Sequence, residues 1–459
     1  MSQAPLIDDA QDYDIVGVGF GPSNLALAIA ITEHNHRVGP HEAVSGLFLE
    51  RQATFGWHRG MLFDDATMQV CFLKDLVTLR NPTSDFGFLS YLHAKDRLLD
   101  FINQKSLYPL RIEFHDYFEW AAAKVDDVVR YGHEVLAVRP VPGEGPVSTV
   151  EVVAGAGPTA RSVHRARNLV LGLGLEPCLP GDKVLSGRIW HSYDLLRRVE
   201  RDLEAPPSRF LVVGAGQSAA EVTAFLHRRF PRAEVYAVFS RYGYSPADDS
   251  SFANRIFDPA AVDEFYMAPP VVKKMIIDYH RNTNYSVVDH DLIQDLYGRM
   301  YQESVLGLPR LRMFNVSRLS EVVEGGDGVR ATVESLTTGD KTVLDADVVI
   351  YATGYRPADP SRLLGELDGY CRRDDDGSLR IERDYRVATG RGLDCGIYLQ
   401  GGTESTHGIS SSLLSNSAVR AGEIVQSVVA RRRRLAAVHT HYARCTGSAG
   451  DAGFAATTR

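Results

Sequence analysis

Three observations predict an α/β fold with two Rossmann-like dinucleotide-binding domains, the first interrupted by the second. Residues Asp12 to Ala30 (DYDIVGVGFGPSNLALAIA) read as an apolar strand, a glycine turn and a helix with Leu25, Ala26, Ile29 and Ala30 on one face. The same pattern restarts at Arg209 (RFLVVGAGQSAAEVTAFLHRRF), with Gly214 and Gly216 at the turn. A third strand, Asp345 to Tyr355 (DADVVIYATGY), ends in Thr353-Gly354-Tyr355, where the chain is expected to return to the first domain.

In the first unit Gly17 permits the turn and Gly19 lets a pyrophosphate approach the backbone. Gly21, Pro22, Ser23 and Asn24 open a helix whose free N–H groups and positive dipole end suit a phosphate. Asn24 occupies the third glycine position of the usual fingerprint. Residues 46–50 (GLFLE) form the next strand, ending in Glu50, the acid expected to hydrogen-bond an adenosine ribose. The polar stretch HNHRVGPHEAVS before it is read as a long loop, and residues 1–11 as a frayed leader. Between Trp57 and Pro82 clear periodicity is missing, which suits a loop-rich site lining. DRLLDFINQKS and EFHDYFEWAAAKV follow as helices, and EVLAVRPV, STVEVVA and NLVLGLG as strands.

In the second unit the strand EVYAVF ends in Ser240-Arg241 where an acid would bind a free 2′-hydroxyl. Serine and arginine instead accommodate a 2′-phosphate, so NADPH is expected rather than NADH. Two such units in one chain are the usual layout of a flavoprotein, with FAD in the first and the nicotinamide cofactor in the insert. The expected division is FAD-binding residues 1–200 and NADPH-binding residues 201–340 with a mainly helical substrate segment at about 250–310. Residues 341–435 then return to the FAD domain, and 436–459 form a flexible tail.

Composition narrows the chemistry. A net charge of −8 argues against nucleic acid or anionic membrane as the main partner. The five cysteines form no CxxC pair, which excludes the redox dithiol of a disulfide reductase, suggests no metal site and fits a reducing cytoplasm. The N-terminus lacks an apolar signal core and no apolar run reaches the ~20 residues of a membrane span. The arginines at 431–434 are read as the solvated end of an amphipathic helix.

Leu185 to Ser192 keeps only the GxxxH part of the FxGxxxHxxxW pattern of class B flavin monooxygenases. Longer stretches are more specific: MQVCFLKDLVTLRNPTS from Met68, DDSSFAN ending at Asn254, NTNYSVVD from Asn282 and THGI from Thr406. On these, the chain resembles the microbial N-hydroxylating flavin monooxygenases, above all those acting on L-ornithine N5, from about residue 12 to 430. The resemblance implies that Met68 and Gln69 lie beside the flavin, with Trp57 and His58 nearby, and that Lys74, Asn254 and Asn284 hold the substrate's carboxylate and α-amino group. It also implies that Gln217 and Ser218 contact the nicotinamide cofactor, Arg241 its 2′-phosphate, and that the region Thr406 to Ser415, with His407, Gly408 and Ser410, closes over flavin and substrate side chain. Ser411 stands where the family usually has Asp.

The reaction so implied is NADPH- and O2-dependent N-hydroxylation of L-ornithine through a C4a-hydroperoxyflavin, without a catalytic triad, for siderophore or related biosynthesis, in a cytoplasmic homotetramer. One lysine and two asparagines suit a zwitterionic head group. Lysine differs by one methylene, worth only ~1–3 kcal/mol, so lysine and diamines such as putrescine stay open as substrates, as does a non-catalytic flavoprotein.

Overall fold

The computed structural model describes residues 6–156, 160–181, 183–203 and 205–447. Ile15–Val18 is buried throughout and runs through the middle of a five-stranded parallel sheet. Across that sheet the order is Gly396–Leu399, Asn168–Leu171, Ile15–Val18, Gly46–Glu50 and Val129–Tyr131. These strands are apolar without alternation because both faces are covered. On one face the helix Pro22–Asn35 and the long helix Ser417–Gly447 pack through Leu25, Ile29, Ile424 and Val428. On the other, Val138, Val150 and Val152 of a smaller sheet meet Val16, Leu47 and Leu169.

The second glycine unit repeats this plan. Its parallel sheet runs Ile189–His191, Val348–Tyr351, Arg209–Val213, Glu234–Val238 and Leu311–Phe314. Helices Gln217–Arg229 and His290–Leu306 cover one face through Val222, Leu226 and Leu296. The antiparallel strands Ser317–Glu324, Val329–Ser335 and Lys341–Ala346 cover the other through Val329, Ala331 and Val333. Helices Pro259–Met267 and Pro270–Tyr279 lie in the segment expected to be helical.

The structure departs from the sequence expectations in four places. The strand before Thr353 stays in the second sheet, paired with Ile189–His191 and Arg209–Val213, so that sheet reaches beyond 201–340 on both sides. The chain leaves it only at Tyr355–Pro357, which pairs antiparallel with Leu175–Pro177 so that the two crossings run side by side. Part of the expected frayed leader is the strand Leu6–Tyr13, paired in parallel with Ala160–Ala166. The helix expected to end near 435 continues to Gly447. Two of its four arginines are docked rather than solvated, Arg431 donating to the Asp394 carbonyl and Arg432 to Asp14 and Ala43; Arg433, which reaches Glu42, and Arg434 are exposed as expected. The rest of the expected tail, 448–459, lies outside the described residues.

Candidate active site

The carboxyl ends of the first sheet's strands and the start of helix Gln217–Arg229 face one continuous cavity of about 2980 Å³. Single-ligand pockets run to roughly 1,000 Å³, so this one has room for several ligands. Its first lobe is floored by the glycine turn. Gly19 has φ +81°, and a Cβ there would lie 2.4 Å from the Gly172 carbonyl oxygen. Helix Pro22–Asn35 starts with no side-chain cap, so its first turn faces the lobe with free N–H groups. Gly21, Pro22, Ser23 and Asn24 line this lobe, while Gly17 sits beneath it in the strand. Asn24 is buried and donates to the carbonyls of Val18 and Gly19, its Oδ1 unpartnered. Glu50 also lines the lobe; its carboxylate accepts from the N–H groups of Phe20 (2.7 Å) and Gln52 (2.8 Å). These features fit a dinucleotide.

The second turn is built alike. Gly214 has φ +146° and a Cβ there would lie 2.3 Å from the Ala352 carbonyl oxygen. Helix Gln217–Arg229 starts uncapped at Gly216. Gln217 and Ser218 line the cavity, whereas Gly214 and Gly216 support them from below. Arg241 lies off the cavity and donates to the Ser286 carbonyl at 2.7 Å.

Between the lobes stand Trp57, His58, Met68, Gln69 and Tyr355, all on the cavity wall. Trp57 packs edge-on against His58 and Phe118. His58 is exposed to the cavity; the protein crowded around it, and then the nearby Arg111 charge, push its imidazole down to about 4. Lys74, Asn254 and Asn284 converge on the cavity from three segments. The Lys74 ammonium lies 5.7 Å from the Phe257 ring centre and forms no ion pair among the described residues. Asn254 is oriented by its bond to the Asp249 carbonyl, 2.6 Å.

Other expected residues are not brought to the cavity. Both ring nitrogens of His407 are occupied, by Thr406 Oγ1 and the Arg383 carbonyl, and the ring stacks on Tyr385. Gly408 packs on Phe265, and Ser410 is buried in the turn Ile409–Ser412. Thr353 and Gly354 instead lie at the crossing between the two sheets, bonding Cys178 and His191. His191, the histidine of the partial oxygenase pattern, thus holds that crossing and does not line the cavity.

His191 and His407 are 1 % and 0 % exposed, and burial pushes both down to about 4. Unfolded imidazoles take up protons near pH 6.5, so between about 6.5 and 4 the unfolded chain binds more protons and stability falls as pH drops. Each site accounts for about 3 kcal/mol by pH 4. The melting temperature is therefore expected to fall steeply over that window, and less steeply in His191→Gln; a flat profile would refute it.

One network joins the lobes and was not assembled by sequence reasoning. Asp289 Oδ2 accepts from Gln69 Nε2 (2.5 Å) and Gln217 Nε2 (3.0 Å), and its own N–H donates to Gln217 Oε1 at 2.9 Å. Gln217 also reaches Glu221, which forms a buried two-pronged pair with Arg111 at 2.8 and 2.6 Å. Since a carboxylate only accepts, the Gln69 amide must turn its carbonyl oxygen away from Asp289. Burial raises the Asp289 carboxyl against the pull of its amide partners. Asp289 closes the NTNYSVVD stretch and carried a signal; Arg111 and Glu221, 110 residues apart, carried none.

A cavity shared by two glycine-turn units defines an enzyme class that holds two dinucleotides together. Within it the chain belongs to the L-lysine 6-monooxygenase/L-ornithine 5-monooxygenase family, which matches residues 11–357. An ornithine N-hydroxylase of Kutzneria sp. 744, solved with reduced FAD, NADP+ and L-ornithine, is 47% identical with a TM-score of 0.88, over 92% of this chain and all of that one. The ornithine hydroxylase of Pseudomonas aeruginosa is 36% identical with a TM-score of 0.85, again over 92% of this chain and all of its own. The L-ornithine N(5)-monooxygenase of Burkholderia cepacia is 40% identical over 86% of this chain and 90% of its own.

Proposed function

We propose that the protein is an FAD- and NADPH-dependent L-ornithine N5-monooxygenase. The observation that carries the substrate is an ammonium, Lys74, without an ion-pair partner among the described residues, set with Asn254 and Asn284 on the wall between the two dinucleotide lobes. That set matches a carboxylate and an α-amino group. The similarity to ornithine hydroxylases over nearly the whole chain supports the same reading.

When bound, FAD reduced by NADPH activates O2 and delivers one oxygen atom to the amine. The chain's own residues bind, orient and exclude water. The Asp289 network fixes the amides of Gln69 and Gln217 between the lobes, and Trp57, backed by the buried Phe118, adds an aromatic ring to the same wall. Arg241 is the 2′-phosphate contact in this reading and lies at the end of the strand Glu234–Val238. The attacking amine must be neutral, and a free ammonium has a pKa of about 10.4, so activity rises at mildly alkaline pH.

Ornithine is expected to give hydroxylamine product coupled to NADPH oxidation, with lysine turned over poorly and putrescine, which lacks the carboxylate, least of all. Product formation measured across the three amines decides this; putrescine matching ornithine would remove Lys74 from substrate binding, and no turnover with any would favour a non-catalytic flavoprotein. Hydroxylated ornithine suits a siderophore or related hydroxamate pathway in the cytoplasm. Exposed Met267, Val271, Met275 and Tyr279, with Tyr297, Tyr301 and Val305 nearby in sequence, offer an apolar face for a homotetramer. Among the described residues no helix is long and apolar enough to cross a membrane.

A further inference from the structure

Arg420, on the long helix Ser417–Gly447, is 1 % exposed. Its four hydrogen-bond partners among the described residues are neutral: Gln400 Oε1 (2.7 Å), Ser23 Oγ (2.9 Å), Ser417 Oγ (3.4 Å) and the Ser411 carbonyl. Glu423, one turn along, is paired with Arg383 and acts on Arg420 only through space, without a hydrogen bond to it. A buried guanidinium with no counter-ion is costly unless a negative charge reaches it from elsewhere. Two of its partners, Ser23 and Gln400, stand on the wall of the first lobe, and Gln400 Nε2 also holds the Ser23 carbonyl at 3.2 Å.

Hydrogen-bond polarity gives the direction. Arginine only donates, so Ser23 Oγ must accept from Arg420, which leaves the Ser23 hydroxyl proton to donate into the lobe. That lobe is the glycine turn with its uncapped helix start, where an anion is favoured. The Ser411 hydroxyl, on the residue whose carbonyl Arg420 reaches, is fully buried without a hydrogen-bond partner among the described residues.

We infer that Arg420 is a positioning residue whose charge is balanced by the diphosphate of the dinucleotide bound at the first glycine turn, transmitted through Ser23. The inference rests on the reading that this lobe holds FAD. Binding therefore supplies a counter-charge that none of the hydrogen-bonded partners among the described residues provides, and Arg420 selects for the diphosphate rather than for the flavin ring.

The test is equilibrium titration of the deflavinated full chain with FAD and with riboflavin, which has the ring but no diphosphate. Arg420→Met is expected to weaken FAD at least tenfold and riboflavin less than threefold, with Arg420→Lys recovering part of the FAD affinity. Equal losses for both ligands, or none, overturn the inference. If Arg420→Met does not fold, Ser411→Asp decides: a carboxylate beside the guanidinium should raise the apoprotein's melting temperature and shrink the further rise on adding FAD, and an undiminished rise overturns it. Wild-type chain that fails to bind FAD would instead refute the cofactor reading itself.

Discussion

Lys74→Ala is expected to raise the KM for ornithine by about 10- to 150-fold, the equivalent of losing one charge-assisted hydrogen bond of roughly 1.5–3 kcal/mol. NADPH oxidation should persist in this variant, with the oxygen released as hydrogen peroxide instead of hydroxylamine. The reason is positional. The Lys74 ammonium lies over Phe257 on the cavity wall and is no part of either glycine turn, so in the proposed reading its loss removes a substrate contact and leaves the dinucleotide lobes intact. Steady-state kinetics with separate peroxide and hydroxylamine assays check it. A variant purified without flavin would place Lys74 in the cofactor site instead.

Glu221→Ala is expected to lower stability by about 3–5 kcal/mol, because it leaves the Arg111 guanidinium buried and uncompensated. The two side chains are only 11% and 6% exposed, so water cannot take over the lost pairing. Arg111 begins the helix Arg111–Ala123 beside the first domain, while Glu221 lies on the helix of the second glycine unit; the pair ties the two together. The double variant Arg111→Met/Glu221→Ala should regain part of the loss, since no unpaired charge remains. Urea midpoints of the single and double variants give the answer, and a double variant no more stable than Glu221→Ala would show that the pair carries no coupling.

The fold was legible because local chemistry repeats. Gly19 and Gly214 each sit at the end of an apolar strand, and each takes a positive φ against a neighbouring carbonyl that only glycine allows. Such signals lie within about 20 residues of chain, as do the strand ending at Glu50 and the site-lining stretch from Trp57 to Lys74. The register of the strand Val348–Tyr351 was less legible. Its four buried residues suit either sheet, and pairing with Arg209–Val213 decides the matter. Arg431 and Arg432 looked solvated because their acceptors, Asp394 and Asp14, are remote in sequence.

In the site, Lys74, Asn254, Asn284, Gln69 and Gln217 were found by motif and do meet at one cavity. Of the same motif region, Leu413, Leu414 and Ser415 line the cavity, whereas His407, Gly408 and Ser410 pack beside Tyr385, Phe265 and within the turn Ile409–Ser412. The sequence by itself determined two glycine turns, the residue types that suit two dinucleotides and a zwitterion, and the family. Only the tertiary structure decided which of those side chains share a cavity, that Asp289 and the Arg111–Glu221 pair join its lobes, and that Arg420 is buried with no acid among its hydrogen-bond partners in the described residues. Strand and turn propensities act over a few residues and are written locally. Ion pairing, burial and the absence of a counter-ion depend on which distant segments are packed together, so they exist only in the folded chain.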